Sequence, residues 1–98
     1  MIEAPSKNSE SKGVFVVRND RGLHTRPCTE LVKCATSFQS DLFLCYQKHR
    51  VNAKSILGIL MLAATKGAKI KIHAEGSDSE EAVESIIRLA QNNFYIKY

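Results

Sequence analysis

An imidazole, a guanidinium and a proline fall together in the stretch Gly22-Leu23-His24-Thr25-Arg26-Pro27. An imidazole nitrogen is a nucleophile, and a guanidinium carries a planar fork of donors matched to phosphate oxygens. Downstream, Cys28, Leu31, Val32, Ala35 and Phe38 recur at helical spacing, which predicts one amphipathic helix running to about Ser37. Pro27 then falls in the first turn, where its missing N–H is no loss, and His24 falls at the N-cap. The polar turn Asn19-Asp20-Arg21-Gly22 precedes it. A helix N-terminus offers uncommitted N–H groups and the positive end of a dipole, so it attracts anions. A histidine at a helix start is by itself a cap or a surface residue. With Gly22 allowing close approach and Arg26 two residues on, the combination reads as a phosphoryl site.

The remaining candidates have plainer readings. Ser55 is an N-cap for the apolar stretch Ile56, Leu57, Ile59, Leu60, Met61 and Leu62. That stretch is apolar on every side, so it is either deeply buried or in part a docking surface. Cys28 follows His24 by one helical turn, but two ligands do not make a metal site, and a small core thiol is the better reading. His49 reads as a loop residue and His73 as an exposed strand residue.

The elements that must position these groups can be read in order. Residues 1–12 are polar and predict a flexible extension, leaving 13–98 as a single domain. Val14-Phe15-Val16-Val17 predicts a first strand, Leu42 to Tyr46 a second and Arg50 to Asn52 a short third. The connection Gln47-Lys48-His49 lacks the Gly or Asn that a tight hairpin prefers. Lys66-Gly67 breaks the second helix. Ala68 to Glu75 alternates, with Ala68, Ile70, Ile72 and Ala74 on one side and Lys69, Lys71, His73 and Glu75 on the other. Ser77 with Glu80, and Asp78 with Glu81, spell two overlapping capping boxes. The helix behind them buries Ala82, Val83, Ile86, Ile87, Ala90 and Phe94. The order is β-α-β-β-α-β-α, an α+β fold whose stripes are buried when the helices cover one face of an open sheet.

Composition narrows the function classes. A chain of 98 residues with 44% hydrophobic content makes one globular domain. No apolar run reaches spanning length, and the N-terminal residues lack the apolar segment of a signal peptide. The 3 cysteines, without Cys-x-x-Cys spacing, favour reduced thiols in the cytoplasm over a disulfide or zinc framework. The net charge of +4 and the strand–helix order raise a small RNA-binding module as an alternative. No Gly-x-x-Gly clamp or aromatic–basic strand motif supports it, and the expectation is no nucleic acid and no membrane insertion.

Gly22-Leu23-His24-Thr25-Arg26-Pro27, with Ala53-Lys54-Ser55-Ile56-Leu57 further on, closely resembles the HPr family, the histidine phosphocarriers of the bacterial sugar phosphotransferase system. The likeness runs from about Val14 to Asn92. It implies an HPr-like open-faced sandwich, a four-stranded antiparallel sheet in the order 1-4-2-3 with three helices on one face, and Phe15 and Val17 pointing inward. It also implies a cytoplasmic monomer that is a carrier rather than an enzyme in the strict sense, with no metal and no cofactor. In the family's pattern Nδ1 of His24 would become the pros-phosphohistidine, with Arg26 beside it. Thr25, Ile56, Leu57 and Leu60 would meet partners: enzyme I as donor and IIA-type subunits as acceptors. Ser55 matches the regulatory serine phosphorylated by a dedicated HPr kinase/phosphorylase in firmicute-type members. A purely regulatory homologue working through phospho-Ser55 is the alternative within the family.

Overall fold

The strand with the clearest alternation lies at the middle of the sheet. In the computed structural model, which describes residues 9–96, that strand runs Lys69–Glu75 and is numbered β4 below. Ile70, Ile72 and Ala74 are buried while Lys69 and Lys71 face solvent. It is flanked by β1 (Glu10–Val16) and β2 (Asp41–Tyr46), both antiparallel to it, with Gly13 and Leu44 opposite Ile72. β2 turns back into antiparallel β3 (His49–Asn52), completing the order β1-β4-β2-β3. The sheet order and the antiparallel pairing are those expected.

β1 begins earlier than its apolar residues suggested. Glu10, Ser11 and Lys12, assigned above to the extension, pair with Glu75, Ala74 and His73. Backbone pairing to β4 makes them a strand, whatever their polarity. The expected extension before Ser9 lies outside the described residues. Phe15 and Val17 do point inward. The β2–β3 hairpin is tight despite its sequence: Tyr46 and His49 are partners, and Gln47 takes the left-handed conformation with φ 56°. His49 is accordingly the first residue of β3 rather than part of a loop.

Helices α1 (Thr25–Thr36), α2 (Ile56–Met61) and α3 (Ser79–Gln91) cover one face of this sheet. Their stripes meet the sheet's inward residues in one core. Leu31 comes from α1, Ile59 from α2 and Ile86 from α3; Phe15, Leu42, Leu44, Ile70 and Ile72 come from the strands. Each such side chain fully withdrawn from water contributes about 1.5–3 kcal/mol. Past α3 a short left-handed turn (Asn93–Tyr95) brings Phe94 into the core, edge-on to Phe15 at 6.1 Å between ring centroids. Phe94 is thus buried as expected, but from beyond the helix end.

Two local expectations were not met. α2 stops at Met61, well before Lys66-Gly67, because Ala63 adopts φ 49° and turns the chain out of the helix. The capping boxes at α3 are absent. Asp78 is the N-cap residue, yet its carboxylate makes no cap bond. It accepts instead from the backbone N–H groups of Gln39 and Ser40, each at 2.9 Å, and from the Ser40 hydroxyl. These bonds hold Asp78 below its ordinary pKa, the Ser40 hydroxyl contributing most. Asp78 therefore fastens the start of α3 to the chain leaving α1.

Candidate phosphoryl-acceptor site

His24 is the N-cap of α1, with extended backbone (φ −90°, ψ −169°). Its carbonyl accepts the first helical bond from the Cys28 N–H at 3.1 Å, and its own N–H donates to the Gly22 carbonyl at 2.9 Å. The imidazole makes no cap bond to the helix, and the first turn of α1 contains no acidic residue. Nothing acidic on that turn offsets the positive end of the helix dipole. The ring is partly exposed, with Nε2 buried.

The turn before it fixes where the ring stands. Asn19 is buried, and its Nδ2 donates to the Gly22 carbonyl while the Gly22 N–H donates back to the Asn19 carbonyl at 3.1 Å. Leu23 enters the core, and its N–H donates to the Ala64 carbonyl at 2.9 Å. The Lys66 ammonium donates to the Asp20 carboxylate at 2.8 Å, which lowers the pKa of Asp20 and raises that of Lys66. The loop bearing His24 is thereby tied twice to the loop that leaves α2.

Thr25 and Arg26 are exposed, while Pro27 and Cys28 are buried. Burial pushes the Cys28 thiol up to about 11, so at neutral pH it is a protonated core group that donates weakly to the Leu23 carbonyl at 3.5 Å. Ser55 caps α2, its hydroxyl accepting the Gly58 N–H at 3.1 Å. The approach to that cap is fixed by Lys54, whose Nζ donates to the Phe38 carbonyl at 2.9 Å and whose N–H donates to Asn52 Oδ1 at 2.8 Å.

α2 packs against α1. Its residues divide: Ile59 is buried, Leu60 half-buried, and Ile56 and Leu57 exposed. Met61, 73% exposed beside Leu57 at 69%, belongs to the same surface. Sequence reading did not single it out, although it lies one helical turn from Leu57. His49 is exposed. His73 is not the exposed residue expected, because its ring lies half-covered between Glu10 and Glu75.

The family model described as the PTS HPr component phosphorylation site matches residues 12–92. Solved structures agree. HPr-C-His from Thermoanaerobacter tengcongensis is 34% identical and superposes with a TM-score of 0.85, covering 90% of this chain and 99% of that one. The phosphocarrier protein HPr from Bacillus anthracis is 40% identical, with a TM-score of 0.77 over 83% of this chain and 96% of its own. Crh, the Bacillus subtilis catabolite repression protein, described as a dimer with a swapped domain, is 39% identical, with a TM-score of 0.69 over 78% and 87% of the two chains. The sheet order and single helical layer are those of an open-faced sandwich of the phosphocarrier class. The chain belongs to the HPr family, the phosphocarrier component of the phosphotransferase system.

Proposed function

We propose that His24 accepts a phosphoryl group from enzyme I and passes it to a IIA-type subunit, meeting each in turn as a cytoplasmic monomer. The observation that carries this reading is the position of the partly exposed imidazole, at the N-cap of α1 and beside a first turn without acidic residues. Nδ1 attacks phosphorus; its lone pair forms the new P–N bond while the donor's bond to phosphorus breaks and the donor keeps that electron pair. The burial of Nε2 favours Nδ1 as the nitrogen that takes the phosphoryl group. The N–H groups of the first turn and the exposed Arg26 guanidinium offset charge on the phosphoryl oxygens. The adduct leaves in the reverse sense, to the acceptor's nucleophile.

Docking falls to Thr25 and to the exposed apolar residues of α2, Ile56 and Leu57, with the half-buried Leu60 at their edge. Phosphorylation of Ser55 by an HPr kinase/phosphorylase would place charge next to that surface. The likeness to Crh, a catabolite repression protein, favours a regulatory output through phospho-Ser55 as a second reading.

Incubation with phosphoenolpyruvate and enzyme I, followed by mapping of the phosphate, tests the first reading. The expected product is one acid-labile, base-stable phosphate on His24, absent from a folded His24→Ala variant. Phosphate on His49 or His73 would reject the assignment. A chain that takes no phosphate from enzyme I but an acid-stable one on Ser55 would make the regulatory reading the right one.

A further inference from the structure

The helix-free face of the sheet holds a second group of coordinating side chains, remote in sequence from His24. Glu10 and Glu75 are directly opposite each other on β1 and β4, and His73 precedes Glu75 by two residues on the same side of β4. One imidazole nitrogen faces both carboxylates: His73 Nε2 lies 2.9 Å from Glu10 Oε2 and 3.4 Å from Glu75 Oε1. The three donor atoms all fall within 4.8 Å of one another.

We propose that Glu10, His73 and Glu75 form a binding site for a divalent transition-metal ion of the zinc class, completed by water. Zinc takes imidazole nitrogen and carboxylate oxygen at about 2.0–2.2 Å, and a tetrahedron of such bonds has edges of about 3.4 Å. The 3.4 Å separation to Glu75 already equals such an edge, and the 2.9 Å separation to Glu10 would open by about 0.5 Å as the ion replaces the shared proton. The ion would take the place of the proton that Nε2 otherwise shares with Glu10. Two carboxylates neutralise the cation, and one imidazole selects a borderline metal over calcium or magnesium. Asp41 lies opposite Glu75 on the other side of β4 and adds negative charge in the same row, whereas Lys12, opposite His73, opposes binding. Phe43, paired with His73 on β2, brings its ring within 6.3 Å of the imidazole and limits the directions the ring can take. Bound metal would clip the first residue of β1 to the last of β4.

The test uses untagged, metal-free protein titrated with Zn²⁺ by calorimetry and with Co²⁺ by visible absorbance, with melting followed in parallel. The expected result is one saturable site, a cobalt spectrum of low-symmetry four-coordination and a rise in melting temperature with zinc. His73→Gln and Glu75→Gln should each weaken binding at least about tenfold and remove the zinc-dependent rise. Both variants should still accept phosphoryl from enzyme I, which shows that they are folded. His24→Ala and His49→Ala should bind metal as the native chain does. Absence of saturable binding at about millimolar zinc, or binding that survives His73→Gln and is lost in the His24 or His49 variant, would overturn the proposal.

Discussion

Gly22 lies flat against the backbone that follows α2: a Cβ added to it would fall 2.9 Å from Thr65 Cα and closer still to the Ala64 carbonyl oxygen. That oxygen is the one that accepts the Leu23 N–H. With φ at +69°, a side chain at residue 22 would be strained even in open space. Gly22→Ala should therefore cost about 2–3 kcal/mol of stability, read as a lower denaturation midpoint. It should also slow phosphoryl acceptance, because the loop that carries His24 must move outward. A variant that melts like the native chain would show that the contact yields freely.

Arg26 is exposed and adds little to packing. Arg26→Ala should lower the transfer rate about tenfold or more, the worth of one charge-assisted contact, with the melting temperature unchanged. Stopped-flow transfer set beside thermal melting separates the two effects. An unchanged rate with lowered melting would make Arg26 a structural residue.

At Ser55 the two effects should have opposite signs. Ser55→Ala removes the acceptor of the Gly58 N–H and should cost about 1 kcal/mol while leaving transfer intact. Ser55→Asp restores a capping oxygen and should melt no lower than the native chain. Its charge lies beside exposed Ile56 and Leu57 and should slow acceptance from enzyme I. Normal transfer by the Asp form would leave Ser55 a cap and nothing more.

Asp78 gives acid sensitivity a definite direction. Its folded pKa lies below the ordinary 3.8, so its contribution is present in full above that value and is lost as pH falls through the folded one. Asp78→Asn keeps the shape but weakens the bonds to Gln39 and Ser40. It should cost about 1 kcal/mol near neutrality, and the difference from the native chain should shrink below about pH 4. Urea melts of both proteins across the acid range measure this directly, and a difference that held constant with pH would contradict it.

The thiols should separate by reactivity. Cys28 is fully buried, with its pKa raised to about 11, so a thiol reagent at neutral pH should reach Cys28 only on unfolding. Mass mapping after brief labelling checks the order. Early modification of Cys28 would mean that α1 opens more readily than its packing implies.

Most of the fold was legible because burial imposes a period. Ala68 to Glu75 could only be a half-buried strand, and Leu31 and Ile86 each lay on a stripe. What escaped was held by the backbone or by distant partners. Glu10 to Lys12 are polar and become a strand only through pairing with β4. The Asp78 capping box was sound local chemistry, outcompeted by two N–H groups and a hydroxyl far away in the chain. The turn and helix start that carry His24 were legible because most of that geometry is built locally, from Asn19 to Cys28. Its tie to Ala64 was not, since a carbonyl oxygen leaves no mark in the residue names.

The pairing of β1 with β4 sets the order of synthesis against the order of assembly. Glu10 and His73, in contact through their side chains, are 63 positions apart. A ribosome releases β1 before β4, its sheet partner among the described residues, which emerges after α1, β2, β3 and α2. Until then β1 is a strand without a mate, and the nascent chain holds α1 and the β2–β3 hairpin with no central strand between them. Closing so long a loop is slow compared with forming a hairpin, so the phosphocarrier sheet closes only after β4 has been made.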